Sequence, residues 1–308
     1  MFKAFTNIGI ATRAKLACAY SGIAWGLFWI PLRGMDEAGV TGAWATVLFY
    51  GVPLILFSPW MFRNWRRLAS GGWSLHFIGM ATGGSLAFYS NSLLYTEVVR
   101  SLVIYYTTPI WSLLLARIVL GENITAARVL AIIFGLSGML VMFGVDTGIP
   151  LPKNIGDWMA LLGALGWAVA AVLLRKDDGS RSLDICAVYF FYGVAASIIL
   201  AVSPMAGDID LPSWDTITSV LPWAIPIALI VIPGAYAAFW GAPHLNPGVV
   251  GLLFMTELSV GGITAAIWAN EPLGARELLG IGLITIAGLS EFVYAPVKSF
   301  FMARAGFR

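Results

Sequence analysis

The run "GVVGLLFMTELSVGGITAAIWANEP", residues 248–272, is apolar enough to lie in lipid, yet Glu257 sits near its middle. A charged side chain at bilayer depth costs about 2.5–3.5 kcal/mol on insertion scales, so it tends to face protein or water and to serve a function. A carboxyl group there can carry a proton or accept an ammonium group. The structural alternative is a carboxyl that only pins one helix against another. Gly261 and Thr264 follow at spacings of four and three, on the same helical face, and their small size leaves room beside the carboxylate.

Two further stretches concentrate polar atoms on one face. Glu97, Ser101, Tyr105, Thr108 and Ser112 are spaced 4, 4, 3 and 4, and Thr82, Ser85, Tyr89 and Ser92 are spaced 3, 4 and 3 with Asn91 beside them. Both patterns hold one side of a helix. Small hydroxyl residues also serve as packing glue between membrane helices, so each stripe alone is ambiguous. Pro109 removes a backbone hydrogen bond and crowds the Tyr105 carbonyl, which predicts a kink and a partly free acceptor on the polar face. Pro222, Pro226 and Pro233 predict breaks in the run near 219–241, with Pro226 and Pro233 on a shared face, and breaks of this kind line cavities or act as hinges. For a zwitterionic ligand, Glu257 or the carbonyl below Pro109 would accept the ammonium. Arg100, Asn91 and the hydroxyls of the two stripes would donate to the carboxylate.

The elements that must position these residues are membrane helices. Hydrophobic residues make up 59% of the 308 and charged residues 11%, with a mean hydropathy of +0.84. Soluble domains are about 25% charged, so the composition is that of a polytopic membrane protein. A bilayer core of about 30 Å takes about 20 apolar residues per helix. Ten runs qualify, at roughly 16–33, 40–62, 74–95, 98–119, 127–145, 156–174, 185–204, 219–241, 248–269 and 275–296. The first follows three basic residues as a signal peptide would, but no small-residue cleavage site follows it, so it reads as a span. Of the 18 Lys and Arg, 14 fall at the termini and in alternate loops, and four (Arg33, Arg100, Lys153, Arg276) fall on the other side. The positive-inside rule then places both termini in the cytoplasm. The 13 Trp suit interfacial belts.

The chain also repeats itself. "AWGLFWIPLR" and "GWAVAAVLLR" align Trp25 with Trp167 and Arg33 with Arg175, and Ala87-Phe88 and Val98-Val99 align with Ala238-Phe239 and Val249-Val250. Glu122 and Glu271 each follow a span, and each is followed within the next span by Gly-Leu-Ser. Five spans per copy is odd, so the second copy enters the membrane upside down, an architecture of secondary transporters with a midplane site between the repeats.

Two five-helix halves, Trp25-Gly26 in the first helix, and "LLLARIVLGE" after Pro109 resemble the EamA family of the drug/metabolite transporter superfamily. The similarity spans about 16–295 and is greatest to the YddG-type amino acid exporters. One departure is Leu258 where Pro109 would align, so the two halves need not kink alike. The resemblance implies an all-α integral membrane fold of ten helices in two inverted five-helix repeats. It divides the chain into a cytoplasmic segment 1–15, repeats 16–145 and 156–296, an extracytoplasmic linker 146–155, and a cytoplasmic tail 297–308. Helices 3, 4, 8 and 9 would line the pathway, with Tyr89, Tyr105, Tyr236 and Trp240 stacking on the substrate. The implied function is non-enzymatic export of amino acids, aromatic and other, from the bacterial cell by alternating access. Protons are candidate coupling ions, and the protein would act as a monomer or weak dimer.

Competing classes fit less well. "GLSG", residues 135–138, resembles an intramembrane serine protease motif, but that chemistry needs a His near Ser137. His76 and His244 are the two His of the chain and both fall at span ends, so packing explains the motif better. No Lys follows a Gly, which excludes a P-loop. Cys18 and Cys186 are the two Cys, too few with two His for a metal site, and no cofactor is called for. A net charge of +2 gives no reason to expect nucleic acid. Transport of another metabolite or a drug, or a non-transporting membrane scaffold, remain alternatives.

Overall fold

The structure, a computed structural model, describes residues 9–40, 42–96, 98–143, 151–203, 210–268 and 274–304, with backbone alone at 33, 36, 94, 98, 99, 143, 265 and 291–304. Among these residues the chain is helical throughout, without a β-strand. In order, the helices are α1 (Ile10–Gly26), α2 (Trp29–Glu37), α3 (Ala43–Arg63), α4 (Trp65–Ala69), α5 (Gly72–Tyr95), α6 (Val98–Tyr105) and α7 (Thr108–Leu120). There follow α8 (Ala126–Phe143), α9 (Ile155–Lys176), α10 (Ser182–Ala201), α11 (Trp214–Gly241), α12 (Pro247–Phe254), α13 (Thr256–Trp268) and α14 (Ala275–Arg304). Six helical stretches are long and apolar enough to cross a membrane by length and composition. Of the earlier expectations, Glu97, Glu271 and the linker's first part (146–150) lie outside the described residues, as do the terminal residues 1–8 and 305–308.

Large apolar side chains such as Ile55, Phe62, Ile118, Ile199, Trp223 and Leu229 face outward, while Ser, Thr, Asn and small residues fill much of the interior. That is the distribution of a chain whose solvent is lipid.

Three expected spans are broken. Pro31 and Pro109 each fall in the first turn of the second segment (α2 and α7), where a missing N–H costs little because first-turn donors lack intrahelical partners anyway. The third break, at Met255 between α12 and α13, has no proline. It nonetheless aligns with the α6–α7 break when Pro109 is matched to Leu258, so the two halves do break alike. Helix α1 packs against it. A methyl on Gly22 would stand 3.1 Å from the Leu253 and Phe254 carbonyls, and one on Gly26 would stand 2.8 Å from the Glu257 carbonyl. Helix α1 thus lies directly against the irregular backbone. The matched threonines close both breaks: Thr107 donates to the Ile104 carbonyl at 2.6 Å and Thr256 to the Leu253 carbonyl at 2.8 Å.

Helix α11 departs from expectation in the other direction. It runs unbroken through Pro222, Pro226 and Pro233 over 28 residues, so neither Pro226 nor Pro233 ends a segment. Each proline removes one hydrogen bond, and the rest of the ladder carries the helix past it.

The most extensive packing is between the halves, and it comes in exchanged pairs. Helix α5 packs on α9 as α11 packs on α1, α5 on α10 as α11 on α3, and α6–α7 on α9 as α12–α13 on α1. The pairs α3·α10 and α8·α14 join equivalent helices across the pseudo-symmetry, and α7 packs on α12, the first segment of the other half's matching broken span. Helices α8 and α14 touch where Gly138 faces Gly280, since a methyl on either would come within 2.7 Å of the other's carbonyl. Gly138 of the Gly-Leu-Ser-Gly motif therefore packs, and the histidines bond elsewhere: His76 pairs with the Tyr192 hydroxyl at 3.2 Å and His244 with the Trp240 carbonyl at 2.8 Å.

Candidate functional site

The two broken helices bring their breaks to one place. Thr108 and Glu257, matched positions, are each at the start of a second segment and both line the same interior cavity. The aromatic wall is Trp25, Phe28, Tyr50, Tyr89, Tyr105, Tyr106, Trp167 and Phe254. Trp25 and Trp167, the pair that the repeat aligned, thus face one cavity from opposite halves. Glu257 is half-buried, sits in the first turn of α13, and accepts a hydrogen bond from the Tyr89 hydroxyl at 3.3 Å. A helix N-terminus favours a negative group.

Tyr89 is also stacked on Tyr105, with ring centroids 3.8 Å apart and planes 14° from parallel. The space left over is about 30 Å³. Since one water needs roughly 10–15 Å³ by this measure, the cavity holds on the order of two waters and no amino acid. Any larger occupant must displace side chains of the wall.

The remaining expected residues are placed elsewhere. Ser85 donates to the Gly163 carbonyl at 2.7 Å and Ser101 shares a hydrogen bond with Ser92, so both fasten helices. The Asn91 amide donates to the Ala87 carbonyl at 2.8 Å, away from the cavity lining. Ser112 is fully buried outside that lining. Thr264 accepts from the Trp29 indole at 3.0 Å, and Gly261 lies against α1 near Gly26. The Tyr105 carbonyl, expected to be freed by Pro109, accepts the Thr108 hydroxyl at 2.5 Å instead. Tyr236 is 41% exposed on the outer surface, and Trp240 lies near the end of α11 against His244. Helical spacing identified a face in these cases but not which neighbour it meets. The wall residues Trp25, Phe28, Tyr50, Tyr106, Trp167 and Phe254 were missed as a group. The one available signal was the aligned Trp25 and Trp167.

Ion-pair clusters join the halves on both sides of the cavity. Asp157, fully buried at the start of α9, accepts Arg100 Nε at 2.6 Å, the Thr96 hydroxyl at 2.8 Å and the Lys153 N–H at 2.8 Å. Arg100 also donates to the Leu151 carbonyl at 2.5 Å, so the expected carboxylate donor is committed to this cluster. At the other end of α9, Arg175 meets Glu122 at 3.4 Å and the Pro243 carbonyl at 2.6 Å, while the Asn246 amide also donates to Glu122. Asp157 and Arg175 are 18 residues apart, about 27 Å along the helix, close to the bilayer core. Trp167 lies between them, which puts the cavity at mid-depth. Both clusters join the first half to the second.

The profile of the EamA-like transporter family matches twice, at residues 12–144 and 154–289. An uncharacterized transporter of Acidianus ambivalens is 28% identical over 46% of this chain and 66% of its own length. One from Clostridium kluyveri is 24% identical over 69% of each chain. The chain thus spans about two thirds of the length of these relatives. A crystal structure covering 92% of this chain and 98% of its own superposes with a TM-score of 0.71 at 16% identity, a likeness of fold alone. With two family segments covering most of its length, the chain belongs to the EamA-like transporter family, multi-pass membrane transporters of the drug/metabolite transporter superfamily.

Proposed function

We propose that the protein is a secondary transporter that moves small organic solutes bearing an ammonium group through the central cavity by alternating access. Amino acid export across a bacterial inner membrane is the form that the resemblance implies. The observation that carries the reading is a mid-depth cavity with one carboxylate, Glu257, inside an aromatic wall, flanked towards each end of the bundle by ion pairs between the halves. Rocking of one half against the other would open the Arg100–Asp157 cluster and the Glu122–Arg175 cluster in turn. Glu257 is the candidate proton site. The remaining site residues, Tyr89, Tyr105 and Thr108, would contact the solute. Purified protein in liposomes should then drive uptake and efflux of labelled amino acids or amines, with rates that respond to a pH gradient. Liposomes that show no flux above empty ones, for any such solute, would leave the scaffold reading in its place.

The membrane arrangement belongs to the same proposal: ten spans, repeats 16–145 and 156–296 in opposite orientations, and both termini cytoplasmic. Single cysteines placed at Asp210 should react with impermeant thiol reagents from outside the cell, and cysteines at Arg66 or Asp178 should not. Labelling at Arg66 from outside would reverse the orientation.

A further inference from the structure

The cavity that serves as the substrate site in the proposed function holds one formal charge among its described side chains, the carboxylate of Glu257; no Lys, Arg or His lines it. The groups that could have met a substrate carboxylate are engaged elsewhere. Arg100 is bonded to Asp157 and to the Leu151 carbonyl, Asn91 to its own helix, Ser85 to Gly163 and Ser101 to Ser92. What the wall offers besides Glu257 is neutral: aromatic faces, the hydroxyls of Tyr50, Ser90, Tyr106 and Thr108, and the indole N–H of Trp167, with the Tyr106 hydroxyl and the Trp167 N–H buried without a hydrogen-bond partner among the described residues. Aromatic faces attract cations through the ring quadrupole, most strongly when water is excluded. A carboxylate moved into such a wall loses its hydration and gains no ionic partner, and it adds a second negative charge beside Glu257.

Resting on the reading of this cavity as the substrate site, we infer that its preferred substrate class is the organic monocation with a flat apolar body, an amine without a carboxylate, rather than the zwitterionic amino acid. The ammonium sits against Glu257 and the rings of Tyr89 and Tyr105, which part to admit it. The Trp167 N–H donates to a neutral acceptor on the body, a hydroxyl or carbonyl, where one is present.

The test compares phenethylamine with phenylalanine, which share the ring and the ammonium and differ by the carboxylate. Calorimetric titration of the full-length protein in detergent should show phenethylamine binding at least about tenfold more tightly. Glu257→Gln should remove most of that preference, while Glu257→Asp, which keeps the charge, should retain it. Equal or tighter binding of phenylalanine, or no binding of phenethylamine at millimolar concentration, overturns the inference. So does a preference that survives in a folded Glu257→Gln protein. Liposome flux separates this from the broader reading. Selective amine binding without flux of any solute defeats transport and keeps the cation site, whereas phenylalanine flux with tighter phenylalanine binding keeps transport and defeats the cation site.

Discussion

Glu257→Gln should fold normally and lose transport, or lose the dependence of transport on pH. The amide is nearly the shape of the carboxylate and can still accept the hydroxyl of Tyr89, now 3.3 Å from Oε1. Packing around α13 therefore has no reason to change. What disappears is the ability to hold a charge or a proton in the cavity. A charge-assisted hydrogen bond contributes roughly 1.5–3 kcal/mol, so affinity for an ammonium should fall on the order of 10- to 150-fold. A carboxyl group titrates and an amide does not, so any proton coupling through this position should vanish with it. Liposome transport by both proteins at matched amounts, on either side of neutral pH, is the measurement. Superimposable wild-type and Gln profiles would make Glu257 a packing residue.

The second large effect is on stability, from Asp157→Ala. Asp157 is fully buried, and its loss leaves Arg100, the Lys153 N–H and the Thr96 hydroxyl without the acceptor they share. Removing one partner of a buried pair costs about 3–5 kcal/mol, because the other charge stays buried alone. The pair Arg67–Asp184 provides the control. It is as short, at 2.8 Å, but its arginine is 37% exposed, against 12% for Arg100. Water and counterions screen such a pair, so Asp184→Ala should cost about 1 kcal/mol or less. Thermal unfolding in detergent should rank Asp157→Ala well below Asp184→Ala and wild type. The reverse ranking would mean that the Asp157 cluster does not bind the halves together.

The family, the helical class and the doubled pattern were legible because they are written in composition and spacing, which a single chain carries in full. Pro109 announced its break for the same reason: the missing N–H belongs to the residue itself. The break at Met255 could not be read in this way, since no residue there lacks an N–H and what it packs against, α1 at Gly22 and Gly26, is more than two hundred residues away in sequence. The prolines of α11 misled because a missing hydrogen bond permits a break without forcing one. Glu257 stood out as a carboxylate in an apolar run. The aromatic wall did not, because with 18 Phe, 13 Trp and 10 Tyr a ring facing lipid and a ring facing the cavity look alike in sequence. Tyr236, expected inside and found 41% exposed, marks the same limit. Val103, off the polar stripe, is also only 2% exposed, since α6 is enclosed on more sides than that stripe suggests.

The exchanged packing of the halves bears on how the chain is made. Synthesis proceeds from the N-terminus, so helices α1–α8 enter the bilayer before α9 exists. Their principal neighbours are α9–α14, and few of their contacts are with one another. During that interval Ser85 lacks the Gly163 carbonyl, Arg100 lacks Asp157 and Glu122 lacks Arg175. These are polar groups that lipid cannot satisfy. The nascent first half is therefore a loose set of inserted helices, open to quality-control proteases and to foreign helices with small-residue faces. Assembly is set by the arrival of the second half, and a truncation between α8 and α9 would strand the first half in that unassembled condition.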